Sequence, residues 1–91
     1  MGDESVQQVS FQIYPNPAED HATIQFTLPR SSHAYIKVYD VSGKEITTLL
    51  NDNMEQGEHS VLLNTNQFSK GVYLVKMICD FGIENQKLIV Q

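Results

Sequence analysis

The sequence predicts an all-β fold: a seven-stranded antiparallel sandwich of two sheets with immunoglobulin-like architecture. Three observations carry this prediction. Apolar and polar residues alternate with a period of two in one run after another. Turn signals recur about every 8–12 residues, the spacing expected of short strands in a sandwich. No stretch sustains a helical period over three turns.

In chain order, Phe11-Gln12-Ile13-Tyr14 is a short alternating strand. Pro15-Asn16-Pro17 stops it, because proline has no N–H to give to a ladder. Ala22 to Leu28 alternates cleanly, with Ile24, Phe26 and Leu28 inward, and Pro29-Arg30-Ser31-Ser32 turns the chain. The third strand, Ala34 to Tyr39, points Ala34, Ile36 and Val38 inward. Asp40-Val41-Ser42-Gly43 reads as a type I turn, in which Asp40 accepts a local backbone hydrogen bond and Gly43 takes the left-handed position. Lys44 to Leu50 is the fourth strand, Asn51 to Gln56 a polar loop, and Gly57 reopens the chain. His59, Val61 and Leu63 face inward from the fifth strand, and Asn64 to Lys70 connects onward with Phe68 as an apolar plug. Gly71 to Cys79 is the longest strand, with Tyr73, Val75, Met77 and Cys79 on one face and Val72, Leu74, Lys76 and Ile78 on the other. Asp80-Phe81-Gly82 then turns into a last strand, Ile83 to Val90, forming an antiparallel hairpin. The expected core is Ile24, Phe26, Ile36, Val38, Val61, Leu63, Tyr73, Val75, Leu88 and Val90.

Ninety-one residues make one domain. Eleven acidic against six basic residues leave a formal charge of −5, which argues against nucleic acid, since phosphates need a basic face. No apolar run approaches the roughly 20 residues of a membrane helix, so no membrane span is expected. The lead Met1-Gly2-Asp3-Glu4-Ser5 is polar and is not a signal peptide; residues 1–8 read as a linker ahead of a domain at 9–91. Cys79 is the single cysteine and reads as a small inert hydrophobe, with no internal disulfide to form.

Chemistry is hard to find. An EF-hand-type loop from Asn51 would need Gly sixth and Glu twelfth, and those positions hold Gln56 and Leu62. Glu19-Asp20-His21 sets carboxylates beside an imidazole but has no nucleophile in a recognisable elbow, as Ser42 lacks the flanking glycines. Gly43-Lys44 is followed by Glu45, so it is no phosphate loop. His21, His33 and His59 are scattered over different elements, and His59 reads as a core-edge residue with a satisfied ring nitrogen. No catalytic, metal or cofactor residue is therefore assigned. Tyr35 and Tyr39, about 13 Å apart at 3.3 Å per residue on one outward face, are candidates for a glycan or partner contact.

Three motifs resemble the C-terminal sorting domain of the type IX (Por) secretion system, type A subfamily. They are Tyr14-Pro15-Asn16-Pro17-Ala18, then Val38-Tyr39-Asp40-Val41-Ser42-Gly43-Lys44-Glu45-Ile46, then Gly71-Val72-Tyr73-Leu74-Val75-Lys76 with the last strand Lys87-Leu88-Ile89-Val90. The resemblance covers about residues 9–91, nearly the whole chain. The chain departs from the family in ending on Gln91 rather than a basic residue, and in carrying Glu19-Asp20-His21 where small residues are usual.

The resemblance implies a non-enzymatic address at the end of a larger exported protein of a Bacteroidetes-type bacterium. A fused N-terminal passenger would pass through the periplasm to an outer-membrane translocon and on to the cell surface or medium. A sortase-like cysteine peptidase would cut before the domain, in Gly2–Ser10 or upstream. The residues it assigns to sorting are Tyr14, Pro15, Asn16, Pro17, Tyr39, Asp40, Gly43, Gly71, Tyr73, Val75, Lys87, Leu88 and Val90. The last strand is expected to offer unpaired N–H and C=O groups for strand addition by a receptor, in a monomer that can also pair edge to edge. Rival classes are an adhesive or carbohydrate-binding sandwich, which would need the Tyr35 and Tyr39 rings as a platform, and a structural spacer.

Overall fold

The structure is a computed structural model and describes residues 9–91. The expected lead, 1–8, lies outside the described residues. Seven strands follow in order: β1 (Ser10–Tyr14), β2 (His21–Leu28), β3 (Ser32–Asp40), β4 (Glu45–Met54), β5 (Gly57–Asn64), β6 (Gly71–Cys79) and β7 (Gly82–Val90). They form a three-stranded sheet, β1-β2-β5, and a four-stranded sheet, β4-β3-β6-β7, with every ladder antiparallel. This is the predicted immunoglobulin-like sandwich.

The core lies between the sheets, where period-2 alternation puts it. Ile24, Phe26 and Leu28 from β2 meet Ile36 and Val38 from β3, Tyr73, Val75 and Met77 from β6, and Leu88 and Val90 from β7. Buried polar groups are satisfied. The Ser32 hydroxyl donates to its neighbour His33 O and accepts from Asp80 N–H, and Thr65 donates from its hydroxyl to Glu19 O and from its amide to Asp20 O.

Four expectations need correction. The polar stretch from Asn51 to Met54 is strand rather than loop, since β4 runs on to pair Met54 with Ser32. Two irregularities opposite Ile36/Lys37 and Val38/Tyr39 insert extra residues into β4 and disturb its alternation. Its polar residues are kept because Asn51 and Asn53 point outward and both bind the His33 ring. Val61 is half-buried, because β5 is a sheet edge with neighbours on one side only. Cys79 is also half-buried, at the strand end beside the Asp80–Gly82 turn. His59 is half-buried too and does not point fully inward; it stacks on Phe26 with ring centroids 5.3 Å apart, and its Nε2 lies 2.6 Å from Glu55 O. That last geometry is the core-edge histidine with a satisfied nitrogen.

Candidate functional site

The three sequence motifs lie far apart in the chain and meet at one end of the four-stranded sheet. The second motif builds the β3–β4 turn. Asp40 Oδ1 accepts from Ser42 N–H at 2.9 Å, Ser42 Oγ–H at 2.6 Å and Lys44 N–H at 3.1 Å. These donors, the Ser42 hydroxyl foremost, hold the Asp40 carboxyl below its usual range. Gly43 donates to Asp40 O and has φ +90°, a conformation that a Cβ disfavours. The expected turn is therefore present, with its glycine in the left-handed region.

The third motif places Tyr73 two residues after Gly71, which has φ +150° at the start of β6. The Tyr73 hydroxyl reaches back to donate to Ser69 O at 2.6 Å, and its ring packs on Phe68 at 5.1 Å. This is the tyrosine corner of immunoglobulin-like sandwiches, locking the β5–β6 connection onto the core. Phe68 is the apolar plug that the sequence predicts.

The first motif straps the last strand. After β1 the chain leaves its own sheet, and Ala18 forms a parallel bridge with Val90 of the other. Ala18 N–H donates to Ile89 O at 2.7 Å, and Gln91 N–H donates to Ala18 O at 2.8 Å. Just before it, the Asn16 side chain acts as one more strand unit. Its Nδ2 donates to Lys87 O at 2.7 Å, and its Oδ1 accepts from Ile89 N–H at 3.0 Å. An amide side chain carries the same donor and acceptor pair as a peptide group, so it can cap a sheet edge. Gln86 closes the same flank from β7, donating to Phe11 O at 3.3 Å.

This geometry corrects the expectation of an open last strand. Lys87 O, Ile89 and Gln91 point away from β6 and are already bonded to Asn16 and Ala18. By the two-residue alternation of an antiparallel ladder, Ile83, Asn85 and the Lys87 N–H share that outer edge. Only this first half remains for strand addition. The buried members of the sorting set, Tyr73, Val75, Leu88 and Val90, are core residues and hold the fold.

What the motifs leave exposed is the outer face of the four-stranded sheet. Tyr39, Leu74 and Lys87 form one row across β3, β6 and β7, and Val72 stands beside Ile89 in the next. Val41 from the turn and Lys76 from β6 complete a shallow cavity of about 390 Å³. Its floor is apolar: Val41, Val72 and Leu74 are 82%, 42% and 37% exposed. Lys76 Nζ sits 5.3 Å from the Tyr39 ring centroid. Val72, Leu74 and Lys76 lie within the third motif but are absent from the residues assigned to sorting, although an available signal marks them: β6 is apolar on both faces, and a single core needs only one.

The Tyr35 and Tyr39 rings do not make an open platform. Tyr35 is flanked by His33 at 4.8 Å and Lys37 at 5.8 Å, and Tyr39 lies under Lys76. Both His33 ring nitrogens lie 2.7 Å from side-chain oxygens, of Asn51 and Asn53. Two acceptors favour the doubly protonated ring and raise the His33 pKa, with Asn51 the larger influence. Among the described residues no group of three or more His, Cys, Asp or Glu side chains is placed to hold a metal.

The fold and its exposed face define an immunoglobulin-like sandwich whose outward chemistry is a surface, apolar in the middle and cationic at the rim. The chain belongs to the secretion system C-terminal sorting domain family, whose family model matches residues 12–91. Members of this family are sorting signals for type IX secretion. Among solved structures the fold is similar to dimeric latent PorU from Porphyromonas gingivalis, with a TM-score of 0.72 at 16% identity. The match covers 90% of this chain and 9% of that one. Comparison with curated protein sequences found no match.

Proposed function

We propose that this domain is the address by which a larger N-terminal passenger is recognised at the outer-membrane type IX translocon and carried to the cell surface or the medium. A sortase-like cysteine peptidase then cuts ahead of the domain, so the domain does no chemistry of its own. The observation that best supports this reading is the convergence of the three motifs. Two of them, Tyr14–Ala18 and Gly71–Lys76, have nothing in common in the chain, yet both act on the β6–β7 end of one sheet. A fold selected only as a spacer has no need to concentrate its special residues there.

The test fuses residues 1–91 to a fluorescent protein bearing a signal peptide, in a host with this secretion machinery. Fluorescence at the surface or in the medium is expected, and retention of the wild-type fusion in the periplasm refutes the reading. Lys87→Ala separates folding from recognition. The Lys87 side chain is exposed and only its carbonyl is held by Asn16, so melting should stay nearly unchanged while export falls.

A further inference from the structure

The outer-face cavity has a chemistry that the fold does not require. Val72 and Leu74 expose apolar side chains on the side of β6 away from the core, and Val41 adds a third from the turn. Lys76 and Lys87 stand at the rim, and Lys44 follows the adjoining turn. The one ion pair among the described residues joins Lys37 to Glu45 at 3.6 Å, so none of the described carboxylates lies within bridging distance of these three lysines. The carboxylate that does line the cavity, Asp40, is turned into its own loop by three hydrogen bonds. A domain of net charge −5 thus gathers Lys37, Lys44, Lys76 and Lys87, four of its six basic residues, on or beside one sheet face.

We propose that this cavity is the docking site for an extended acidic peptide of the sorting machinery, seating one apolar side chain over Val72 and Leu74 between carboxylates held by Lys76 and Lys87. The assignment rests on the sorting reading for its partner and adds the chemical class that the partner presents. Charge complementarity selects the acid, since unpaired ammonium groups around an apolar floor attract an anion and a hydrophobe together. Size selects a peptide. About 390 Å³ holds one or two side chains, and apolar Leu74 has Lys76 two residues along β6, the spacing of alternate residues in a strand, and Lys87 across from it on β7.

The experiment titrates the ¹⁵N-labelled chain, residues 1–91, with two capped peptides, acetyl-Glu-Thr-Val-Thr-Glu-amide, whose Val and both Glu share one face when extended, and its double Gln counterpart. Amide shifts centred on Val72, Leu74, Lys76 and Lys87 are expected with the acidic peptide. Exchanging both Glu for Gln, or both lysines for Gln (Lys76→Gln with Lys87→Gln), should weaken binding by roughly tenfold, as two exposed charge contacts are lost. Lys70→Gln, an exposed lysine in the β5–β6 connection, should leave it unchanged. Equal binding of the two peptides, shifts elsewhere, or binding to phosphatidylglycerol vesicles in preference to peptide each overturns the proposal. So does a cavity closed by a second copy, seen as the same amides shifting on concentration alone. The export assay keeps the two readings apart: an exported wild-type fusion with no acidic-peptide site refutes the cavity alone, and a retained fusion refutes the sorting reading.

Discussion

Replacing Asn16 with alanine removes two hydrogen bonds at once, the 2.7 Å bond to Lys87 O and the 3.0 Å bond from Ile89 N–H. Both backbone groups lie at a sheet edge and can rehydrate, so no buried group is stranded. Each bond then contributes its modest net value, and together they are worth about 1–2 kcal/mol. A domain of this size loses about 4–8 °C of Tm per kcal/mol, so Asn16→Ala should melt roughly 4–16 °C lower. Asn85→Ala, exposed on the same strand with no side-chain hydrogen bond to the described residues, is the control and should move Tm little. Hydrogen exchange gives the sharper reading. In the wild type the Ile89 amide should be protected, while the Asn85 and Lys87 amides, on the same outer edge, exchange quickly. In Asn16→Ala the Ile89 amide should join them, while Leu88, which faces β6, stays protected. An unprotected Ile89 amide in the wild type, or an unchanged pattern in the mutant, refutes the role of Asn16 as a strand surrogate.

Gly43→Ala meets no atom within 4 Å of its new Cβ, so its cost is conformational alone, about 1 kcal/mol for φ +90°, read as a drop in Tm. Leu88→Ala empties a fully buried site and should cost about 2–5 kcal/mol, a large part of the roughly 5–14 kcal/mol available to a chain this long; urea denaturation reads it directly. His33 should titrate above the ordinary histidine value, with a sign that can be checked. Its raised folded-state pKa adds stability that is full below the unfolded value of about 6.5 and fades as pH rises through the folded one. Proton NMR reads the pKa, and His33→Ala should remove that slope from a plot of Tm against pH.

Alternation revealed β2, β3 and β6 directly, because burying one face of a strand writes a period of two into its side chains. It failed at β4 for a physical reason. Two insertions shift the face that each residue presents, and Asn51 and Asn53 are held by His33 rather than by the core. The Asp40–Gly43 turn was legible because every partner lies within four residues. The Asn16 strap was not, since its partners are 71 and 73 residues away and a side chain standing in for a peptide group leaves no local pattern. The candidate site was half legible. Apart from Gly71 and Lys87, the residues singled out in β6 and β7 were the core half of each strand, and the rest of the exposed surface belongs to their alternate neighbours.

The strap also bears on how a sorting domain avoids its own copies. An edge strand with bare N–H and C=O groups pairs with any similar edge, and an exported domain meets many identical neighbours. Asn16 and Ala18 occupy the outer groups of Lys87 O, Ile89 and Gln91, and Gln86 ties the flank to β1. Three or so residues of edge remain, with Lys87 exposed at the boundary. So short an edge gives little to a second copy. A receptor that adds a strand there must draw most of its affinity from side chains. The nearest unsatisfied side chains on that sheet are Lys76, Lys87, Val72 and Leu74. On the sorting reading, the same proline-flanked asparagine that closes the edge therefore moves recognition onto the face. Loosening the strap by Asn16→Ala should raise self-association before it alters binding of an acidic peptide. Sedimentation velocity of the mutant across a concentration series tests that order, and a mutant that stays monomeric at every concentration removes the guarding role from Asn16.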